Sequence, residues 1–398
     1  MIIFGTPTEN IDWIIGDDED DLISGLGGDD FIVGNGGADR LLGNDGDDAF
    51  VPGLGKDQVW GGFRAYDSGN DTVNYSGYAG AVFVDLALGY GYLQSLGNND
   101  RDTLHGIENA VGSAYDDELR GDGGANVLSG RAGNDGLFGG GGNDRLFGGD
   151  GNDNLHGDAG SDDLRGDAGD DLIFGGAGID SLQGGEGDDA LIAGAGADDI
   201  DGGAGNDTVY YGTSTSRVAV NLTTGQGLYG EAAGDSIVNV ENVVGSGYDD
   251  VLIGDAKTNW LIGDDGNDKL AGRGGDDLLS GGAGKDTLTG GMGADSFVFG
   301  WVGDSGPTAA TRDVITDFSS TQGDKVHLAY LDADETLAGD QAFTFVGTSG
   351  FSNVAGELRY GQNGGHAVIE GDTDGDGLAD FSMTLTGSHS LTADDFVL

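Results

Sequence analysis

A nine-residue period dominates this chain and leaves few folds open to it. Its clearest copy is GGGGNDRLF at 139–147, followed without a break by GGDGNDNLH. In that frame residues 7–60 hold six units, 112–210 hold eleven and 245–298 hold six, about half of the 398 residues. Position 6 of the units is Asp12, Asp21, Asp30, Asp39, Asp48 and Asp57 in the first array. In the second it is Asp117, Asn126, Asp135, Asp144, Asp153, Asp162, Asp171, Asp180, Asp189, Asp198 and Asp207, and in the third Asp250, Asn259, Asp268, Asp277, Asp286 and Asp295. Position 8 is apolar throughout, from Ile14 through Leu146 to Phe297.

The spacing carries its own chemistry. Glycines at positions 1, 2 and 4 can take the positive φ values of a tight turn, so that the turn carbonyls converge on one point. The Asp at position 6 adds a carboxylate beside them. Charged and neutral hard oxygens at short range describe a Ca²⁺ site; Mg²⁺ would keep its water, and softer metals want nitrogen or sulfur ligands. Composition asks for the same ion. With 71 acidic against 16 basic residues the net charge is −55, and only 37% of residues are hydrophobic. A chain like that stays largely unfolded without a counter-cation. The charge also excludes nucleic acid as a partner, since phosphate binding needs a Lys/Arg surface. The absence of cysteine excludes disulfides, thiol nucleophiles and Cys-ligated metals.

The last three residues of each unit, such as Arg145-Leu146-Phe147, read as a very short strand with position 8 pointing inward. One buried side chain per unit is a thin core, so stability has to come from stacking. Two units per coil, with coils about 4.8 Å apart, give an all-β, right-handed parallel β-roll in three arrays. The predicted organisation is array 1 over 1–60, a β spacer over 61–111, array 2 over 112–210, a second spacer over 211–244, array 3 over 245–298 and a C-terminal β cap domain over 299–398.

These units resemble the RTX, or haemolysin-type, calcium-binding nonapeptides G-G-x-G-x-D-x-U-x. The resemblance implies that each Ca²⁺ lies between one turn and the turn two units on, held by turn carbonyls and position-6 carboxylates. Some units depart from the pattern. The first begins with Pro7, Glu19 stands where glycine is usual, and Asn126 and Asn259 offer a neutral oxygen, so these two and Asp12 are weaker metal candidates.

The spacers repeat each other: Asp71-Thr72-Val73-Asn74-Tyr75 and Val82-Phe83-Val84-Asp85-Leu86 return as Asp207-Thr208-Val209-Tyr210-Tyr211 and Val218-Ala219-Val220-Asn221-Leu222. Their period-two alternation predicts strands. Asp71 closes a further unit interrupted by the insert Phe63 to Asp67 and joins the metal candidates. After Phe297 the tail resembles the C-terminal domain of serralysin-type proteases. That resemblance implies a cap on the roll and an uncleaved export signal read by a type I, ABC-transporter-driven apparatus, for which Asp394-Asp395-Phe396-Val397-Leu398 has the acidic-then-apolar character. The N-terminus has no basic region and its apolar run ends at Phe4, so no Sec signal is read there. In Asp372-Thr373-Asp374-Gly375-Asp376-Gly377-Leu378-Ala379-Asp380 the acids Asp372, Asp374, Asp376 and Asp380 follow the start of an EF-hand loop, but Met383 stands where the bidentate Glu belongs. A weak calcium loop and an acidic β-turn are both open.

No catalyst is visible. The five histidines, His105, His156, His327, His366 and His389, never form H-E-x-x-H, and the prolines form no Asp-Pro-His segment. Gly303-Asp304-Ser305-Gly306-Pro307 is similar to the nucleophile segment of trypsin-like proteases, but lacks the upstream His and Asp and reads as a turn. The expectation is therefore a secreted, non-enzymatic calcium-binding protein that folds on Ca²⁺ outside the cell and serves at the surface or in the matrix. Two alternatives stand beside it. One is a polysaccharide-binding or polysaccharide-active accessory that uses the spacers; the other is a membrane-active pore former, for which no amphipathic helix of useful length is present.

Overall fold

The computed structural model describes residues 1–6, 11–62, 69–334 and 337–398. The turn of the first nonapeptide, with Pro7, and the insert Phe63 to Asp67 lie outside them. The chain divides into two compact units, Met1–Asp207 and Thr208–Leu398.

In the first unit the nonapeptides alternate between two parallel sheets. One carries Val127–Ala132, Arg145–Asp150, Asp163–Ala168, Ser181–Glu186 and Asp199–Ala204. The other carries Gly136–Phe138, Asn154–Ala159, Leu172–Ala177 and Ala190–Ala195. Register advances by two units per coil: Leu128 pairs with Leu146, Leu146 with Leu164 and Leu164 with Leu182. Each of these position-8 side chains is buried. Gly136–Phe138 has the three residues predicted, but most strands of array 2 are longer. Arg145–Asp150 runs on through positions 1 to 3 of the next unit, where Gly149 pairs with Asp167 and Asp150 with Ala168. The turn backbone is itself stacked on the coil below, so its amides find ladder partners that a lone nonapeptide does not supply.

Strands occupy both spacers. In the first unit Val82–Asp85, Tyr90–Leu93 and Asp102–His105 pair antiparallel in sequence, and the outer two also pair parallel to flanking nonapeptide strands. In the second unit Ala219–Asn221, Gln226–Leu228 and Ser236–Val238 repeat that excursion.

The roll register of the second unit outlasts its sequence repeat. One buried row runs Leu252, Leu270, Leu288, Ile315 and Leu385, the other Val243, Leu261, Leu279, Phe297, Val326 and Phe396. Beyond Phe381–Leu385 the sheet turns antiparallel through His366–Asp372 and Glu357–Asn363. The extreme terminus, Phe396–Val397, is a strand paired with Lys325–His327, and Phe396 is buried against Phe345. Among the described residues no helix is long and apolar enough to cross a membrane.

Candidate metal centres

One turn shows how the site is built. In Gly148-Gly149-Asp150-Gly151-Asn152-Asp153, Gly149 (φ 119°) and Gly151 (φ 133°) lie in the left-handed region, where a side chain is strained. Position 2 takes that conformation even when it is not glycine, as at Arg131, Asp158 and Asp167, because the stacked coil imposes it. Gly148 is glycine for another reason. It does not share the positive φ, yet a Cβ there would collide with Asp153 Oδ2 and stand 2.8 Å from the Gly166 carbonyl oxygen. Position 1 is thus kept empty so that a carboxylate oxygen and a carbonyl of the next coil can approach one place.

The two carboxylate oxygens have different tasks. Within the arrays, Oδ1 of a position-6 Asp accepts the backbone N–H of the position-6 residue one coil earlier. Asp135 donates to Asp153 at 2.7 Å, Asp153 to Asp171 at 2.8 Å and Asp171 to Asp189 at 2.8 Å. In the other column Asp144 donates to Asp162 at 2.7 Å, Asp162 to Asp180 at 2.9 Å and Asp180 to Asp198 at 2.9 Å. The same link joins Asp21 to Asp39, Asp30 to Asp48, Asp39 to Asp57, Asp48 to Asp71 and Asp189 to Asp207. It also joins Asp250 to Asp268, Asp268 to Asp286 and Asp277 to Asp295. Oδ2 is left over. In Asp30, Asp39, Asp135, Asp144, Asp153, Asp162, Asp171, Asp180, Asp189, Asp268, Asp277, Asp286 and Asp295 it is buried and accepts no hydrogen bond.

A buried oxygen of that kind is expensive as a carboxylate. Burial pushes Asp135 and Asp171 up to about 7 and Asp268 up to about 8, against amide hydrogen bonds that pull them down and neighbouring carboxylates that push further up. Asp144, Asp153 and Asp162 are raised to about 6 for the same leading reason. What these sites lack is a cation. Columns of unsatisfied carboxylate oxygens beside turn carbonyls fit Ca²⁺, which takes 6–8 oxygens. A bound ion would supply charge neutralisation and a bridge between successive coils.

The residues that open each array are arranged otherwise. Asp117 accepts the amide of Ser113 at 2.5 Å and its hydroxyl at 2.9 Å, and Asp250 is held at the same distances by Ser246. Asn126 donates to the Glu108 carbonyl at 2.7 Å and accepts the Asp122 amide at 2.8 Å. Asn259 does the same with Glu241 and Asp255. Asp12 accepts the Thr6 hydroxyl, while Asp21 accepts the Asp17 amide and lies 2.5 Å from the Met1 amino group. These six groups are satisfied by the protein itself.

Sequence reasoning missed further residues in the position-6 register: Asp102, Asp313 and Asp324 accept the N–H of Asp57, Asp286 and Asp295 respectively. The signal was the D-x-U-x half of the nonapeptide without its glycine turn, in Asp102-Thr103-Leu104-His105, Asp313-Val314-Ile315-Thr316 and Asp324-Lys325-Val326-His327. In the duplicated spacers a buried tyrosine closes the second oxygen, Tyr75 on Asp102 at 3.0 Å and Tyr211 on Asp235 at 2.8 Å. In the C-terminal loop Asp372, Asp374 and Asp376 each place an oxygen within 4.8 Å of the others, whereas Asp380 turns to the Thr373 amide and hydroxyl. Histidines are engaged one by one in packing: His156 between Phe138 and Phe174, His105 on Trp60, His327 on Tyr330.

Comparison with known proteins agrees with this geometry. Residues 219–398 match the peptidase M10 serralysin C-terminal family, and segments between 8 and 59 and between 111 and 209 match the RTX calcium-binding nonapeptide repeat. The chain is an RTX calcium-binding repeat region fused to a serralysin-type C-terminal domain, and its ion is Ca²⁺. The serralysin-type match starts inside the second spacer and takes in the third array, in keeping with a roll register that passes 299 without a break. Similar solved structures include the R3 and R2 subunits of the mannuronan C5-epimerase AlgE6 from Azotobacter vinelandii, each 30% identical. They cover 38% and 40% of this chain and 78% and 92% of their own, with TM-scores of 0.28 and 0.29. The extracellular lipase LipA of Serratia marcescens is 16% identical, over 84% of this chain and 46% of that one, with a TM-score of 0.26. No curated protein matches the chain at a significant level.

Proposed function

We propose that this is an exported, non-catalytic protein whose biochemical act is to fold when it meets extracellular calcium, forming an acidic β-roll for the cell surface or matrix. The observation that carries this reading is the column of buried Oδ2 atoms without hydrogen bonds, which recurs in all three arrays after their opening units. Such a column is unstable without Ca²⁺ and stable with it, so metal binding free energy becomes folding free energy. The serralysin-type terminus supports export by a type I apparatus, through which a calcium-free chain passes unfolded. Far-UV circular dichroism in excess EGTA tests the core of the proposal. The expected result is loss of the β signal and its return between roughly 10⁻⁴ and 10⁻³ M Ca²⁺, the range of extracellular calcium modules. A spectrum unchanged by EGTA would refute it.

A second reading, polysaccharide binding, is favoured by one feature of the first spacer. Arg101 lies 3.7 Å from the Tyr90 ring centroid, Tyr90 and Tyr92 stack on Phe83, and Arg120 reaches over both Phe83 and Phe138. This is a row of cations and tyrosines on an otherwise acidic chain, and it suits an anionic glycan. Affinity electrophoresis through acidic and neutral polysaccharides, with Arg101→Ala and Arg120→Ala as controls, decides it. Mobility that no polysaccharide retards removes the reading.

A further inference from the structure

We propose that the C-terminal region carries a binding site for an organic ammonium ion, a cation bearing methyl or methylene groups, in an open cleft between Trp301 and Tyr330. The site lies in the second unit and is separate from both the calcium turns and the first spacer.

Two large aromatic side chains stand in solvent here, Trp301 at 79% exposure and Tyr330 at 69%. A single exposed apolar residue is ordinary, whereas two that flank one cleft form a surface. Their pairing comes from the roll. Ser296–Val298 and Lys325–His327 are neighbouring parallel strands in which Val298 pairs with His327, and Trp301 and Tyr330 each follow three residues beyond that pair. The two side chains therefore leave the sheet at the same end of adjacent coils. Local hydrogen bonds hold both segments in place. The Gly300 and Trp301 N–H groups donate to Asp304 Oδ2 at 2.8 and 3.0 Å, and the Asp304 N–H donates to the Trp301 carbonyl at 3.0 Å. On the other side the Leu331 N–H donates to the Leu328 carbonyl at 2.9 Å, and the Tyr330 ring stacks on His327 with centroids 5.0 Å apart.

The cleft has a volume of about 480 Å³, within the range of small-molecule sites. Its charge is all of one sign: Asp332 and Asp340 line it, and no Lys, Arg or His does. Asp332 is fixed through Oδ1, which accepts the Asp334 and Gln341 amides at 3.1 and 3.3 Å. The Ala333 N–H donates to the Gln341 carbonyl at 3.0 Å, which brings Asp340 back to the rim that Asp332 occupies. Among the described residues neither carboxylate forms an ion pair.

This combination selects the ligand. The two carboxylates repel an anion, and a neutral ligand leaves them without a counter-charge. A bare metal ion gains little from two rings, and Ca²⁺ asks for more oxygens than two separated carboxylates give. An alkylated ammonium uses every wall of the cleft. Its charge meets the carboxylates, while its methyl groups lie on the electron-rich faces of Trp301 and Tyr330.

Calorimetric titration of choline chloride into the full chain at saturating CaCl₂ tests the site, with circular dichroism in the same buffer showing that the chain is folded. Choline should bind, and its uncharged carbon analogue, dimethylbutanol, should bind about tenfold more weakly or not at all. Trp301→Ala and Asp340→Asn alter exposed side chains, so each should keep the β signal and weaken choline by a similar factor. If Trp301→Ala loses that signal, Asp340→Asn alone decides. Free choline and phosphatidylcholine vesicles separate a soluble ligand from a lipid headgroup, and binding of either supports the site. Binding of neither overturns it, as does equal affinity for the uncharged analogue or choline affinity untouched in Asp340→Asn. Heat from neutral oligosaccharides and none from choline would make the cleft a saccharide site and likewise overturn the proposal.

Discussion

Asp144→Asn and Leu146→Ala, two residues apart, separate the ligand turn from the core strand. Asp144 Oδ1 accepts the Asn126 N–H at 2.8 Å, and its Oδ2 is buried without a partner close to Gly139. The Gly157 carbonyl oxygen approaches the same place, 3.0 Å from where a Gly139 Cβ would stand. An asparagine keeps the first contact and puts an NH₂ group near that carbonyl, as Asn126 already does toward Glu108 at 2.7 Å. In EGTA the substitution removes a buried unsatisfied acceptor, which is worth about 1–3 kcal/mol. At saturating calcium it removes ion binding, a loss of about 2.7 kcal/mol when free Ca²⁺ is a hundredfold above Kd. Leu146 is fully buried between Leu128 and Leu164, and truncation to alanine costs about 2–5 kcal/mol whether or not metal is present. Thermal unfolding followed at 218 nm over a calcium series should therefore give crossing curves for Asp144→Asn, above the parent in EGTA and below it in excess Ca²⁺. Leu146→Ala should fall below the parent by a similar margin throughout. Parallel curves for the two variants would refute the division of each nonapeptide into a ligand turn and a core strand.

Gly148→Ala should behave like a ligand variant and not like a core variant, because its Cβ enters the space of Asp153 Oδ2; a raised calcium midpoint in circular dichroism checks this. Calcium-free protein should be more ordered near pH 5 than near pH 8. The folded-state pKa values of Asp135, Asp171 and Asp277 are raised to about 7, so the folded chain binds more protons than the unfolded one between about pH 4 and 7, and stability falls as pH rises through that window. A pH series of circular dichroism in EGTA measures it, and a β signal that grew with pH would contradict the assignment. Tyr75→Phe leaves Asp102 Oδ2 buried without its hydroxyl partner and should lower stability by about 1–3 kcal/mol in urea unfolding, with no change in the number of bound ions.

The repeat announced most of this fold because its two informative positions have separate and local physical meanings. Position 8 faces the interior in every unit, so its apolar identity is enforced at each step, and position 6 must carry oxygen. The coil geometry follows from stacking such units, and the i to i+18 register needs nothing further. What the sequence concealed is of two kinds. Glycine at position 1 reads like the turn glycines beside it, yet only contact across coils shows that it makes room for a carboxylate. The coils at Asp102, Asp313 and Asp324 have lost the glycine turn and keep only D-x-U-x, a pattern too short to stand out from any alternating strand. Their register is set by partners 27 to 45 residues away, which a nine-residue period cannot point to.

The division between carboxylates that need calcium and those that do not is ordered along the chain, and that order bears on how the arrays form. Arrays 2 and 3 each open with a residue held by a serine and then an asparagine held by two backbone groups, Asp117 and Asn126 in one, Asp250 and Asn259 in the other. Directly before them stand the tyrosine-closed spacers, Tyr75 on Asp102 and Tyr211 on Asp235. These coils satisfy their polar groups with protein alone, so they can hold their shape where the coils after them cannot. In a solenoid each coil contacts only its neighbours, and the costly step is making the first one. A metal-independent coil at the head of an array supplies that first edge, after which every Ca²⁺ has one wall of its site already built. The spacers then act as seeds for the arrays that follow them and are more than connections between them. Hydrogen exchange at limiting calcium reads this directly. Protection should appear first near 104–128 and 237–261 and spread toward higher residue numbers; protection that began in the middle of array 2, around Leu164, would show that the coils need no seed.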